Sequence, residues 1–122
     1  MLTIALNYGI VNSGDIMITY NEFAKLFVGI SNEDFCIEIN FCVGDKEEYQ
    51  NCWMGKTKKD DSETFWFGLK VDGSEAYDFE SFDIFSSAQV FNGKFLKEIW
   101  SDIELLSIDG CEPEERIKEY LK

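Results

Sequence analysis

The stretch DFCIEINFCV, residues 34–43, decides the fold. Phe35, Ile37, Ile39, Phe41 and Val43 share one parity, and Asp34, Cys36, Glu38, Asn40 and Cys42 share the other. Successive side chains of a strand point to opposite faces, so this run has one oily face and one mixed face. It predicts the central strand of a sheet.

Toward the N-terminus, residues 2–6 are short and apolar and predict an edge strand. Asn7, Gly9, Asn12, Ser13 and Gly14 read as turns, and residues 16–18 as a brief extended piece. Thr19 and Glu22 have the spacing of a capping box, in which each side chain satisfies the other's backbone N–H. Phe23, Leu26, Phe27 and Ile30 then fall on one helical face, so residues 20–28 predict a short amphipathic helix. Phe27 and Val28 are also good strand formers, which leaves a strand reading open there. Gly29 and Ser31-Asn32 close the element.

Toward the C-terminus, Gly44 to Glu48 form a polar turn. Residues 49–56 predict a second strand, with Tyr49, Asn51 and Trp53 on one face and Gln50, Cys52 and Met54 on the other. Neither set is plainly the oily one. KKDDS at 58–62 is a charged hairpin tip. Residues 64–71 predict a third strand, with Phe65, Phe67, Leu69 and Val71 opposite Thr64, Trp66, Gly68 and Lys70. Asp72-Gly73 is a turn dipeptide. Three alternating runs joined by short polar turns make an antiparallel meander, a form that can leave one face in water.

The chain then becomes acidic and irregular over 74–81. Residues 82–88 suit a helical turn, 89–91 a brief strand ended by Asn92-Gly93, 94–101 a short helix, and 103–108 a strand stopped by Asp109-Gly110. Pro113 suits the first turn of a last helix, where Glu112, Glu114 and Glu115 complement the positive end. Ile117, Tyr120 and Leu121 give that helix a small apolar edge. The fold class expected is α+β: one domain over 1–122, a mainly antiparallel sheet with a central meander and short helices packed on one face.

Composition narrows the function. At 122 residues the chain is long enough for one real core, and 45% hydrophobic residues argue against disorder. The net charge is −13, so there is no basic patch to neutralise phosphates and no attraction to an anionic membrane. Neither direct nucleic-acid binding nor membrane binding is expected. Such a charge either keeps the chain apart from its neighbours or steers it to a basic partner.

No catalytic signature stands out. There is no histidine, and no nucleophile-elbow, zincin or phosphate-loop pattern. Cys36, Cys42, Cys52 and Cys111 form no C-x-x-C pair. Cys36 and Cys42 would lie about 20 Å apart on one strand, too far for a disulfide. Small buried thiols are the expectation for all four. Asp72, Ser74, Glu75 and Asp78 lack the ligand order of a calcium loop. No catalytic residue, metal site or cofactor is expected. Residues 1–10 lack the charged start, apolar run and cleavage site of a secretion signal, which points to the cytoplasm.

Two features suit binding. If Trp53 and Trp66 both point outward from adjacent strands, they form a platform near Glu38, Asn40 and Lys70; if helices cover that face, both rings are core. The acidic run Asp72, Glu75, Asp78, Glu80 and Asp83 is a second contact surface, or else an ordinary hydrated loop.

Several pieces taken together carry a likeness: NCWMGK at 51–56, FWFGL at 65–69, AYDFESF at 76–82, VFNGKFLKEIW at 90–100 and SIDG at 107–110. These pieces look like those of a group of small bacterial proteins, and in size, acidity and sheet-plus-helix pattern the chain resembles the small acidic immunity proteins of bacterial polymorphic or contact-dependent toxin systems. Those proteins share no common motif, so no residue role carries over. The resemblance implies a non-enzymatic cytoplasmic protein, a monomer or weak homodimer, that covers the active site of a basic toxin domain such as a nuclease. Glu38, Trp53, Trp66, Asp72, Glu75, Asp78, Glu80 and Asp83 are the expected contacts. The rivals are a duplex-DNA mimic that inhibits a nucleic-acid enzyme, a small-molecule-binding or enzymatic domain, and a structural or regulatory module.

Overall fold

In the computed structural model, which describes residues 18–28 and 35–120, the run around Ile39 is the second strand from one edge of a five-stranded antiparallel sheet. The strands are β1 (Phe35–Val43), β2 (Cys52–Lys59), β3 (Ser62–Gly68), β4 (Ala76–Phe79) and β5 (Ile103–Ile108), in the order β4-β3-β2-β1-β5. Helices α1 (Tyr20–Val28), α2 (Phe82–Ser87), α3 (Leu96–Ile99) and α4 (Pro113–Tyr120) complete an α+β fold.

The alternation read in β1 sets the layers. Ile37, Ile39, Phe41 and Val43 are buried, and they are joined by Cys52 and Met54 of β2, Phe65 and Phe67 of β3, and Ile108 of β5. Onto this inner face come Phe23, Leu26 and Phe27 from α1, Phe85 from α2, and Leu96 and Ile99 from α3. Phe67 and Phe85 stack with ring centres 4.2 Å apart, and Phe85 also meets Phe27 and Phe65. Burial of rings on this scale dominates the stability of a small domain.

Local chemistry fixes the helix ends. The capping box at α1 is formed: Glu22 N donates to Thr19 Oγ1 at 3.0 Å, and Thr19 N donates to Glu22 Oε1 at 2.9 Å. At the other end of α1, Lys56 reaches up from β2 on the inner face. It is 4% exposed, and its Nζ donates to Phe27 O at 2.6 Å. Glu63 Oε2 lies 3.0 Å from the same ammonium, and the Phe65 ring 5.4 Å. A cation at the last carbonyls of a helix completes its dipole. In α2 the Ser81 hydroxyl caps by accepting from Ile84 N, and in α3 Glu98 Oε1 accepts from Phe95 N.

Several boundaries differ from expectation. Residues 74–81 are not irregular throughout, because Ala76–Phe79 forms β4, with Tyr77 opposite Phe67 and Phe79 opposite Phe65. Residues 89–91 form no strand; Phe91 and Lys94 make a single bridge around Asn92-Gly93, both at positive φ. β2 begins at Cys52, and Tyr49 is buried in a 3₁₀ turn at Glu47–Tyr49. The helix expected over 94–101 is one turn of α-helix at Leu96–Ile99, tightened to 3₁₀ over Trp100–Asp102. Val71 is 84% exposed and not on the core face, since β3 ends at Gly68 and the chain turns back.

Two of the four thiols expected to be buried, Cys36 and Cys111, are exposed. Ile18 belongs to no strand. The edge strand expected over 2–6, the turns before Ile16 and the helix-closing Gly29 and Ser31-Asn32 lie outside the described residues.

Candidate functional site

The second face of the sheet is built from the alternate residues of the same strands. Pairing aligns them in rows. Glu38 stands opposite Gly55, Gly55 opposite Trp66, and Trp66 opposite Asp78, so one row crosses four strands. The next row runs Ser107, Asn40, Trp53, Gly68, Ala76. A third holds Cys36, Thr57 and Thr64. Residues opposite each other on neighbouring strands share a face, so these rows form one continuous surface. Glu38, Trp53, Thr57, Ala76 and Asp78 are exposed, and Asn40, Thr64, Trp66 and Ser107 are half-buried.

Tryptophan and glycine alternate in a checkerboard here. Trp53 on β2 faces Gly68 on β3, and Gly55 on β2 faces Trp66 on β3. A Cβ at Gly55 would stand 2.3 Å from Trp66 Cζ2, 2.5 Å from Trp66 Cε2 and 2.6 Å from Ile37 O. The indole of Trp66 therefore reaches from β3 across bare backbone toward β1. An aromatic neighbour that covers a strand glycine replaces the packing the glycine lacks.

Backbone contacts hold the site from the β1 side. Asp109 carries on past β5: its N donates to Glu38 O at 2.8 Å, and its Oδ1 accepts from Glu38 N at 2.9 Å. Arg116 of α4 clamps Asp109 Oδ2 at 2.8 Å. Asn40 Nδ2 is shared between Asn51 Oδ1 and Cys52 O. A bulge between Asn40 and Phe41 leaves Leu106 as an extra residue of β5, 42% exposed.

The charge on this face is one-sided. Glu38, Asp78 and Glu104 carry carboxylates, and among the described strand residues of this parity Lys59, beside the hairpin tip, is the single base. Burial and the Glu104 carboxylate push the Cys42 thiol up, and burial pushes Cys52 up to about 12. Neither thiol is poised as a thiolate nucleophile at neutral pH.

Of the residues expected to bind, Glu38, Trp53, Trp66 and Asp78 share this surface. The acidic turn does not join them. Asp72 is exposed in the turn after β3, where hydrogen bonds from Ser74 hold its carboxyl below the usual range. Glu75 pairs with Lys70 at 3.7 Å in the same turn. Glu80 follows the end of β4, and Asp83 lies in the first turn of α2. Gly55, Thr57, Thr64 and Glu104 were missed. Strand parity would place them, but only once the register is known.

Two concavities lie away from this face. A groove of about 430 Å³ is lined by Ile18, Tyr20, Trp100, Ile103 and Leu105, with Lys97 Nζ 5.7 Å over the Tyr20 ring. A recess of about 520 Å³ lies among Gly44, Asp45, Glu47, Glu48 and Asp102. Among the described residues, no group of three or more Cys, Asp or Glu side chains is placed to hold a metal ion, and no helix is long and apolar enough to cross a membrane. No family model, curated protein or solved structure matches this chain.

Proposed function

We propose that the protein is a non-enzymatic binder of the immunity type, which neutralises a basic toxin domain by covering it with the outer face of the sheet. One observation carries the reading. Trp53 and Trp66 share an open sheet face with the carboxylates Glu38 and Asp78, on a chain of net charge −13. Indoles that are partly in water provide large contact area at little entropic cost, and surrounding carboxylates speed encounter with a cationic partner. The absence of histidine from the sequence supports binding over acid–base catalysis. A duplex mimic needs carboxylates in two rows, and here Trp66 stands between Glu38 and Asp78, which supports that alternative less well.

The test is to read the genes on either side of this one for a toxin domain and to co-express the chain with it; neighbours that encode no toxin count against the reading. The wild-type chain restores growth, and the purified pair associates at a rate that falls at least about tenfold from low to high salt. Growth that is not restored refutes the immunity role. A rate indifferent to ionic strength refutes the electrostatic part of it.

A further inference from the structure

The row Glu38, Gly55, Trp66, Asp78 reads carboxylate, bare backbone, indole, carboxylate. At the usual spacing of neighbouring strands its two ends are about 14 Å apart at their α-carbons. The Trp66 indole fills the space over Gly55 toward the Glu38 side. Both acids are exposed, and neither carboxylate has an ion-pair partner among the described residues. By contrast Glu63, Glu75, Asp109, Glu114 and Glu119 each face a cation within 4 Å. The row thus sets two uncompensated negative charges on either side of a ring whose face is itself electron-rich.

A planar cation satisfies the ring and one of the carboxylates together. A guanidinium stacks on an indole by cation–π attraction while its edge N–H groups donate to a carboxylate in a bidentate pair. A lysine ammonium is a compact point charge and does one of these at a time. We infer that this row seats an arginine side chain of the protein partner, its guanidinium over Trp66 and its N–H groups donating to Glu38 or Asp78. The inference rests on the reading of the chain as a binder of a basic protein, and it adds which side chain the face receives.

The probe is an acetylated, amidated peptide of three Gly-Arg repeats, compared with its citrulline counterpart, a neutral isostere. Nitrogen–proton spectra of the full chain give separate indole signals for Trp53, Trp66 and Trp100. Trp100 is the internal control, because its Nε1 is held by Ile18 O. The Trp66 signal moves saturably with the arginine peptide, and the citrulline peptide binds at least about tenfold more weakly. The double variant Glu38→Gln/Asp78→Asn weakens the arginine peptide by a similar factor. So does Trp66→Leu, which keeps an apolar cover on Gly55, read there from the Glu38 amide.

Equal movement with both peptides overturns the inference, as does movement confined to residues 72–75 or unchanged in the double variant. A peptide of Gly-Lys repeats that binds as tightly also overturns the choice of arginine, and an oligosaccharide that saturates at Trp66 where the arginine peptide does not overturns the class of partner. No toxin is present in these titrations, so the two readings fail separately. An arginine seat without neutralisation sinks the immunity role alone; neutralisation untouched by Trp66→Leu sinks the seat alone.

Discussion

Trp66 and Phe67 are neighbours in sequence and opposites in surroundings. Phe67 is 1% exposed, with Phe85 stacked upon it and Phe79 and Phe91 at its edges. Trp66 is half-buried and lies on the bare backbone of Gly55. Both are large aromatic groups on one strand, so hydrophobicity does not separate them. What separates them is which face the helices cover. The inner face obtains its stability from side chains that interlock across two layers, whereas the outer face is finished by its own strands. Among the described residues the outer face leaves Trp53 exposed and Trp66 half-buried, where a covered core face would seal both.

The comparison breaks most visibly at Phe67. Phe67→Ala removes a ring that several others contact and is expected to cost about 3–5 kcal/mol. Thr57→Ala, exposed on the outer face, should stay within about 0.5 kcal/mol. Urea unfolding of both variants checks this, and similar losses would mean that the two faces are packed alike.

Gly55→Ala sharpens the comparison from the other side. The new methyl group has no room beneath the indole and should cost about 1–3 kcal/mol, as overpacking does in a core. Removing the ring as well, by Trp66→Ala, should not restore the wild-type midpoint, since Ile37 O still stands 2.6 Å from the added atom. Full restoration would show that the ring alone requires the glycine.

The thiols give the smallest effects and the finest map. Cys36 on the outer face and Cys111 after β5 should take up iodoacetamide in the native protein at about pH 8, while Cys42 and Cys52 wait for unfolding. Mass spectrometry of the labelled chain reads this directly. Cys52 donates to Leu69 O, and burial keeps its proton in the native state to about 12, against 9.0 for the free thiol. Between those values the unfolded chain has released a proton that the native chain retains. Stability therefore falls as pH rises from about 9 to about 12. Burial also raises Cys42, Tyr20 and Tyr49, so Cys52→Ser should make the fall shallower without abolishing it, and an unchanged fall would assign it to those groups.

Much of the fold was legible where the chemistry is local. The alternation of Phe35 to Val43, the capping pair Thr19 and Glu22, and Pro113 at the start of α4 each carry their signal within a few residues. The inner face of β2 was not legible. Tyr49, Asn51, Trp53 and Gln50, Cys52, Met54 are equally mixed, and the choice is made by Ile39, which stands opposite Met54. β4 was hidden because its four residues are too short a run to show alternation and lie inside an acidic stretch.

The same limit applies to the candidate site. A shared face for Trp53 and Trp66 was one of the two readings that parity allowed. That Glu38 and Asp78 flank Trp66 on one row could not be read from it, since it depends on the register of three strand pairs. Asp72, Glu75, Glu80 and Asp83 looked like partners of Asp78 because they adjoin it along the chain. Adjacency in sequence is a poor guide to adjacency on a pleated surface.

β1 is flanked on one side by β2, which follows it closely, and on the other by β5, whose Ile108 pairs with Ile39. During synthesis the β5 side of β1 has no ladder partner until β2, β3, β4, α2 and α3 have all been made. For that interval a long apolar strand presents free N–H and C=O groups to any neighbouring nascent chain, the condition that invites wrong pairing. The cell must therefore bring this protein through a vulnerable stage at every round of translation, and β5 is the piece that ends it.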